Sequence, residues 1–322
     1  MLVSWKKIWT LFILSFAMIL GGCQEATYPA IPETKDFVAS VNIQAPSISF
    51  INEQGKVFTT WKLEEGYTGA TLIHHQYVLL YGFQLKKAVV YNLSTGKQVY
   101  TIDTGLGVTN AIYDEKNKKI YLANGKTNRV EIYNEHGKLL KDQKVGNYPM
   151  SMMLYNKQLY VINYKDTTLS ILQVDTLKPV KNWTIEKSSN GMVIVENKQL
   201  WIGGHGEGIK PNSTVDIFDL NNGKKMSQIK LPMMPVGFDK NDHKVYVISH
   251  GDSALSEVSF DGKVLRKTEV GANPFTVNLF KDYVVVAGYD DHHVYFLQNG
   301  KIVKKINVDK GPFQLLVRGK EE

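Results

Sequence analysis

From Asn147 to Ile185 the chain reads NYPMSMMLYNKQLYVINYKDTTLSILQVDTLKPVKNWTI. Four apolar runs, MSMML, QLYVIN, LSILQV and VKNWTI, are separated by short polar turns. The runs are short, rich in β-branched and aromatic side chains, and lack the spacing of a helix face. The segment predicts four antiparallel strands joined by tight turns. A unit of about forty residues cannot bury a core alone, so it needs neighbours of its own kind.

Those neighbours are present. EQGK, STGK, EHGK, NNGK, FDGK and QNGK place Gly-Lys pairs at Gly55, Gly96, Gly137, Gly223, Gly262 and Gly300, and Leu177-Lys178 fills the missing position. A second register, FVAS, YVLLYG, IYLANG, LYVINY, LWIGG, VYVISH and VVVAGY, recurs at nearly the same spacing. Seven units of about forty residues predict an all-β chain, a seven-bladed β-propeller with four-stranded antiparallel blades. Each Gly-Lys pair falls between third and fourth strands. There glycine takes the positive φ of a bulged hairpin and lysine opens a solvent-facing outer strand, so the pair is turn chemistry.

The first unit, Phe37 to Leu63, supplies only three strands. The tail GPFQLLVRG, Gly311 to Gly319, matches the inner-strand openings NYPMSMML and ANPFTVNLF. The C-terminal strand is therefore expected to join the N-terminal blade and close the ring, which removes open edges.

With VGNYP before it and VGANP echoing it, LYVINYKDTTLSILQVDTLKPV resembles the YVTN-repeat, lactonase-like family of seven-bladed propellers. The tetrad is YVIN at Tyr160 to Asn163, and YLAN at Tyr121 to Asn124 departs from it. The resemblance covers nearly all of Phe37 to Gly319 and its motifs are structural. It implies a fold shared with surface and envelope proteins, and the fold alone does not specify a chemistry.

The start, MLVSWKKIWTLFILSFAMILGGCQ, carries Lys6 and Lys7 before the apolar run Ile8 to Leu20. That run is too short to span a bilayer core and suits an export signal. Leu20-Gly21-Gly22-Cys23 looks like a bacterial lipobox, which implies cleavage before Cys23 and attachment of acyl chains such as palmitate to it. Cys23 is the only cysteine, so no internal disulfide forms. The expected organisation is a lipoprotein signal peptide at 1–22, a lipid-anchored tether at 23–36 and the propeller at 37–322. The chain is expected outside the cytoplasm, held to the cell membrane, as a monomer.

The formal net charge is +7, spread along the sequence without a block of like charge. Such a balance suits an anionic envelope surface, nucleic acid or simply a solvated lysine-rich exterior. Only Arg129, Arg266 and Arg318 are arginine. Base-edge and phosphate recognition leans on the arginine fork, so nucleic acid is disfavoured as a partner.

Loops between blades and loops joining second to third strands share one face of a propeller. GGHGEGIKPNS (Gly203 to Ser213), SHGDS (Ser249 to Ser253) and GYDDHH (Gly288 to His293) come from three successive blades. They offer His205, Glu207, His250, Asp252, Asp290 and His292 as candidate ligand-binding or metal residues, and these donor types suit zinc or copper. No short His-x-His or HExxH spacing supports a metal, so plain polar loop residues remain the leading account. The first loop is the longest insertion and a candidate for specificity. Methionines at Met150, Met152, Met153, Met233 and Met234 suit either copper(I) or adaptable core filling, and packing is the commoner use.

Catalytic signatures are poor. There is no GxSxG elbow, GHGEG is not followed by a helix, and STGKQVY has Tyr100 where a quinoprotein docking turn would place tryptophan. The sequence favours a binding or scaffolding module with a protein or cell-wall partner over an envelope enzyme, either a lactonase-like hydrolase or a metal-dependent oxidoreductase. An enzyme needs convergent side chains in a pocket, whereas a binder needs an exposed apolar or aromatic face.

Overall fold

The computed structural model describes residues 27–207 and 209–319. The export segment and Cys23 lie outside the described residues.

Seven four-stranded antiparallel sheets form the ring. Blade 4 is typical, with strands Pro149–Tyr155, Gln158–Asn163, Thr168–Gln173 and Pro179–Thr184 from the channel outward. Its middle strands are buried almost throughout and its outermost strand is largely exposed. Middle strands pack on both faces. Leu159 and Val161 join Tyr121 and Val130 of blade 3, whereas Tyr160 and Ile162 join Leu200 and Phe218 of blade 5. Seven apolar clusters result, one at each blade-to-blade contact. This two-sided burial is why the middle strands read as continuous apolar runs. Each fully buried Leu, Ile or Phe side chain contributes about 1.5–3 kcal/mol.

The Gly-Lys turns behave as the sequence predicts. All six glycines have positive φ, from +68° at Gly96 to +88° at Gly262, and Leu177 adopts φ +53° at the seventh position. The register of third on fourth strand shifts by a bulge in every blade.

The ring closes with strand Pro312–Arg318 as the innermost strand of blade 1, paired with Phe37–Asn42. Arg318 locks the seam. Its buried guanidinium donates to the carbonyls of Pro32, Lys35 and His75 and lies 4.4 Å from the centre of the Phe37 ring. The segment expected to be a tether is ordered from Tyr28 onward. Ile31 is fully buried, Tyr28 stacks on Trp61, and Trp61 Nε1 donates to the Pro29 carbonyl. The apolar Tyr28 and Ile31 explain the difference, because the seam between blades 1 and 2 gives them a place to bury.

Alternation of strand direction sorts the connections. Blade-to-blade loops and second-to-third loops share one face, the mouth face, while the first-to-second and third-to-fourth turns share the opposite, turn face. No helix among the described residues is long and apolar enough to cross a membrane.

Candidate functional site

The mouth is built from the first residues of the inner strands. In six blades the inner strand enters with a register shift next to the mouth, so one residue is extruded from the ladder. A bulge re-aims the side chain that it carries. In blades 7 and 1 that residue is Phe275 and Phe313, whose ring centroids lie 5.0 Å apart.

These two rings end a longer series. Tyr289, from the second-to-third loop of blade 7, meets Phe275 edge-on at 5.5 Å. His250 lies 4.1 Å from Phe275, His205 is 5.7 Å from His250, and Tyr164 is 5.7 Å from His205. Tyr148 and Phe83 continue the series at 6.3 and 5.9 Å. Eight rings, each half-buried, thus form an unbroken arc from blade 2 round to blade 1. The ammonium groups of Lys126 and Lys165 sit over Phe83 and Tyr148 at 5.3 and 4.5 Å.

Backbone hydrogen bonds hold the arc from beneath. Tyr164 N donates to Tyr148 O, Ser188 N to Tyr164 O, His205 N to Ser188 O, Asn212 N to His205 O, Met234 N to Asn212 O and His250 N to Met234 O, all between 2.7 and 3.0 Å. Asn163, the last residue of the YVIN tetrad, is buried and donates to Thr168 and Ser170 across the neck of the Tyr164 loop. Asn124 of YLAN likewise accepts from the Lys126 and Thr127 amides. The motif asparagine therefore positions mouth loops.

One feature of this rim is costly. The residue before the inner strand has positive φ in six blades: Gly107, Tyr148, Ser188, Met234, Asn273 and Gly311. Glycine and asparagine accept this conformation, but Tyr148 at +59° pays about 1–2 kcal/mol for its Cβ. Backbone strain of this kind clusters at functional sites in proteins generally.

Of the residues singled out by sequence, the structure brings His205 and His250 into ring contact, places Asp290 within electrostatic reach of His250, and holds Glu207, Asp252 and His292 on other partners. Both imidazoles have a buried Nδ1 without a hydrogen-bond partner. Burial, reinforced by His250, pushes His205 down to about 4, and burial also lowers His250, with Asp290 opposing it. Both are neutral at pH 7. Glu207 pairs with Lys187, Asp252 accepts from the Met233 amide, Asp290 is exposed, and His292 Nδ1 faces the Gly311 amide and the Tyr289 carbonyl. Among the described residues no group of three or more His, Cys, Asp or Glu is placed to hold a metal ion. The six candidates thus do not form a zinc or copper donor set. Met152 is buried in the core and Met153 packs beside it, while Met233 covers Gly251.

The long loop forms a small hairpin, Gly206–Glu207 paired with Lys210–Pro211. Ile209 at its tip is 97% exposed. The aromatic arc itself, Phe83, Tyr148, Tyr164, Phe275, Tyr289 and Phe313, was not singled out in the sequence. The recurring Pro-Phe pair of ANPFTV and GPFQLL was the available signal.

Neither a family model nor a curated sequence relative matches the chain. Solved structures match in shape. The chain is similar to a functionally unknown protein from Desulfotomaculum acetoxidans, at TM-score 0.75 and 10% identity, covering 89% of this chain and 100% of that one. It is similar to the hydrazine synthase of Kuenenia stuttgartiensis, at TM-score 0.72 and 12% identity over 87% and 98%. The dihydro-heme d1 dehydrogenase NirN, solved in complex with DHE, gives TM-score 0.66 and 11% identity, and the chain covers 66% of its length against 89% of its own. At these identities the likeness is one of fold, and a shared propeller hosts different named activities.

Proposed function

We propose that this chain is a binding module of the cell envelope, a lipoprotein of the YVTN-repeat kind, anchored through Cys23 outside the cytoplasm. It takes an apolar or ring-bearing group of a protein or cell-wall partner on the aromatic arc at the channel mouth. The observation that carries this reading is the unbroken arc of eight half-buried rings on a hydrogen-bonded base. Rings fixed in advance lose little conformational entropy when a partner arrives, and large rigid side chains dominate binding energies. Ile209, exposed at the tip of the hairpin that follows His205, adds an apolar group on the same face.

An envelope enzyme, hydrolytic or metal-dependent, is the weaker alternative. A general base needs a third group to orient it and a pKa near the working pH. Neither His205 nor His250 has an oriented Nδ1, and burial lowers both imidazoles, His205 to about 4.

The test is calorimetric titration of the Gln24–Glu322 chain with soluble cell-wall fragments and, in parallel, capture of envelope proteins on the same chain. Phe275→Ala and Tyr289→Ala should each weaken the interaction about tenfold, as expected from loss of one well-packed ring. Binding unchanged when both rings are removed would eliminate the mouth as the site. Anchoring has its own test: Cys23→Ala should release the protein from the membrane fraction.

A further inference from the structure

The turn face carries a pattern that the mouth does not explain. In six blades the Gly-Lys or Leu-Lys turn leads directly into exposed aliphatic side chains at the start of the outermost strand: Val99, Leu139, Val180, Met226, Leu265 and Val303. Nine of the ten large exposed hydrophobics among the described residues lie in this belt, the tenth being Ile209. The exposed side chains in the mouthward halves of the same strands are polar, the apolar Ile102, Trp183, Ile229 and Ile306 there being buried. Leu139-Leu140 gives way to Lys141-Asp142-Gln143-Lys144, and Val264-Leu265 to Arg266-Lys267-Thr268-Glu269. An outer edge that needed only solubility would be polar along its whole length.

Beside each aliphatic stands an exposed lysine, Lys97, Lys138, Lys178, Lys224, Lys263 or Lys301, and none is in a salt bridge with a described residue. Charge that looks evenly spread along the sequence is unevenly divided in space: the seven turn lysines, Lys56 and these six, stand against Glu53, Glu135, Asp175 and Asp261, of which the first three already pair with Lys281, His74 and Lys119. Loops of the mouth face carry carboxylates at least as often as lysines, Glu186, Asp252, Asp290, Asp291 and Asp309 among them. Blade 1 lacks the exposed aliphatic because the N-terminal strap covers it, with Lys35 3.8 Å from the centre of the Phe58 ring.

The strap also leaves from this rim. Thr27 pairs with Lys97, and the Tyr28 amide donates to Gly96 O at 2.9 Å. Three residues lie between Cys23 and Thr27, so four steps of chain reach about 14 Å at most.

We propose that the lysine-aliphatic rim is a docking surface for an anionic lipid bilayer, so that the ring stands turn face down with its aromatic mouth directed away from the membrane. Lysines near an anionic surface and aliphatics at the headgroup boundary act together in such contacts. The orientation rests on the anchoring at Cys23 proposed above, but the affinity of the rim for lipid does not.

Gln24–Glu322 contains every strand and core residue of the closed ring and lacks the anchor, so it separates the two claims. It should co-sediment with vesicles of phosphatidylglycerol and phosphatidylcholine, less so with added salt, and not with phosphatidylcholine alone. Lys97→Glu with Lys138→Glu should weaken this at least tenfold, since each lysine is worth roughly fivefold. Lys126→Glu with Lys165→Glu, at the mouth, should leave it unchanged. Because Cys23 is absent, Leu139→Cys offers a sole labelling site, and an environment-sensitive dye there should shift to the blue on the anionic vesicles while a dye at Lys126→Cys does not. A folded ring that ignores anionic vesicles, or loses binding equally with the mouth variant, overturns the proposal. Binding to a soluble anionic wall polymer with vesicles ignored would reassign the rim to the wall.

Discussion

The imidazoles of His205 and His250 lie ring to ring, with centroids 5.7 Å apart and planes inclined at 76°, and each keeps a buried, unpaired Nδ1. Two histidines from loops of successive blades are held neutral side by side, as members of an aromatic surface.

That placement predicts an acid sensitivity. Folding lowers His205 from its ordinary 6.5 to about 4 through burial first and the neighbouring His250 second. The fold favours the neutral ring, so the stabilisation is complete above about pH 6.5 and is lost as pH falls from there towards 4. Discounted for partial solvent screening, the loss is about 1–2 kcal/mol. Urea midpoints at pH 7.5 and 4.5 should differ less in His205→Gln than in the parent chain. An identical acid dependence in both would show that His205 does not carry it.

The turn glycines are not equivalent. A Cβ at Gly262 (φ +88°) would meet the Ile229 and Ile217 side chains at ordinary contact distances of 3.4 and 4.0 Å, whereas one at Gly223 (φ +74°) would enter the Trp183 ring, at 2.4 Å. Gly262→Ala should cost the positive-φ penalty alone, about 1–2 kcal/mol, and Gly223→Ala about 1–3 kcal/mol more for the collision. Chemical denaturation of both variants measures the difference, and equal losses would contradict the packing argument.

At the seam, Arg318→Met should destabilise the ring by about 2–4 kcal/mol, because it leaves the carbonyls of Lys35 and His75 without the guanidinium donor and that of Pro32 with the Lys35 amide alone. Arg318→Lys should recover little, since one ammonium cannot reproduce a planar fork over Phe37. Full recovery of the thermal midpoint by lysine would mean that charge alone closes the seam.

Tyr148→Gly separates stability from binding. Glycine relieves the left-handed backbone at φ +59°, which offsets the lost ring packing against Phe83 and Tyr164. Stability should stay within about 1 kcal/mol of the parent while affinity for the mouth partner falls about tenfold. A large stability loss with unchanged affinity would make Tyr148 a structural residue.

What the sequence determined by itself is everything set by local rules. Strand number follows from the short apolar runs between polar turns, and the turns from glycines whose conformation few other residues adopt cheaply. Ring closure follows from the matching ends GPFQLLVRG and ANPFTVNLF, because a three-stranded first unit has a missing edge to fill. The sequence grouped six polar residues from three loops, of which His205 and His250 meet ring to ring and Asp290 acts on His250. Tertiary structure decided the rest. Phe83 and Phe313 lie 230 residues apart, and they belong to one arc because successive blades present their inner-strand openings and second-to-third loops to the same face of the ring. Likewise the turn lysines look dispersed in sequence and stand on one face in space, because antiparallel strands return every second turn to the same side of the ring.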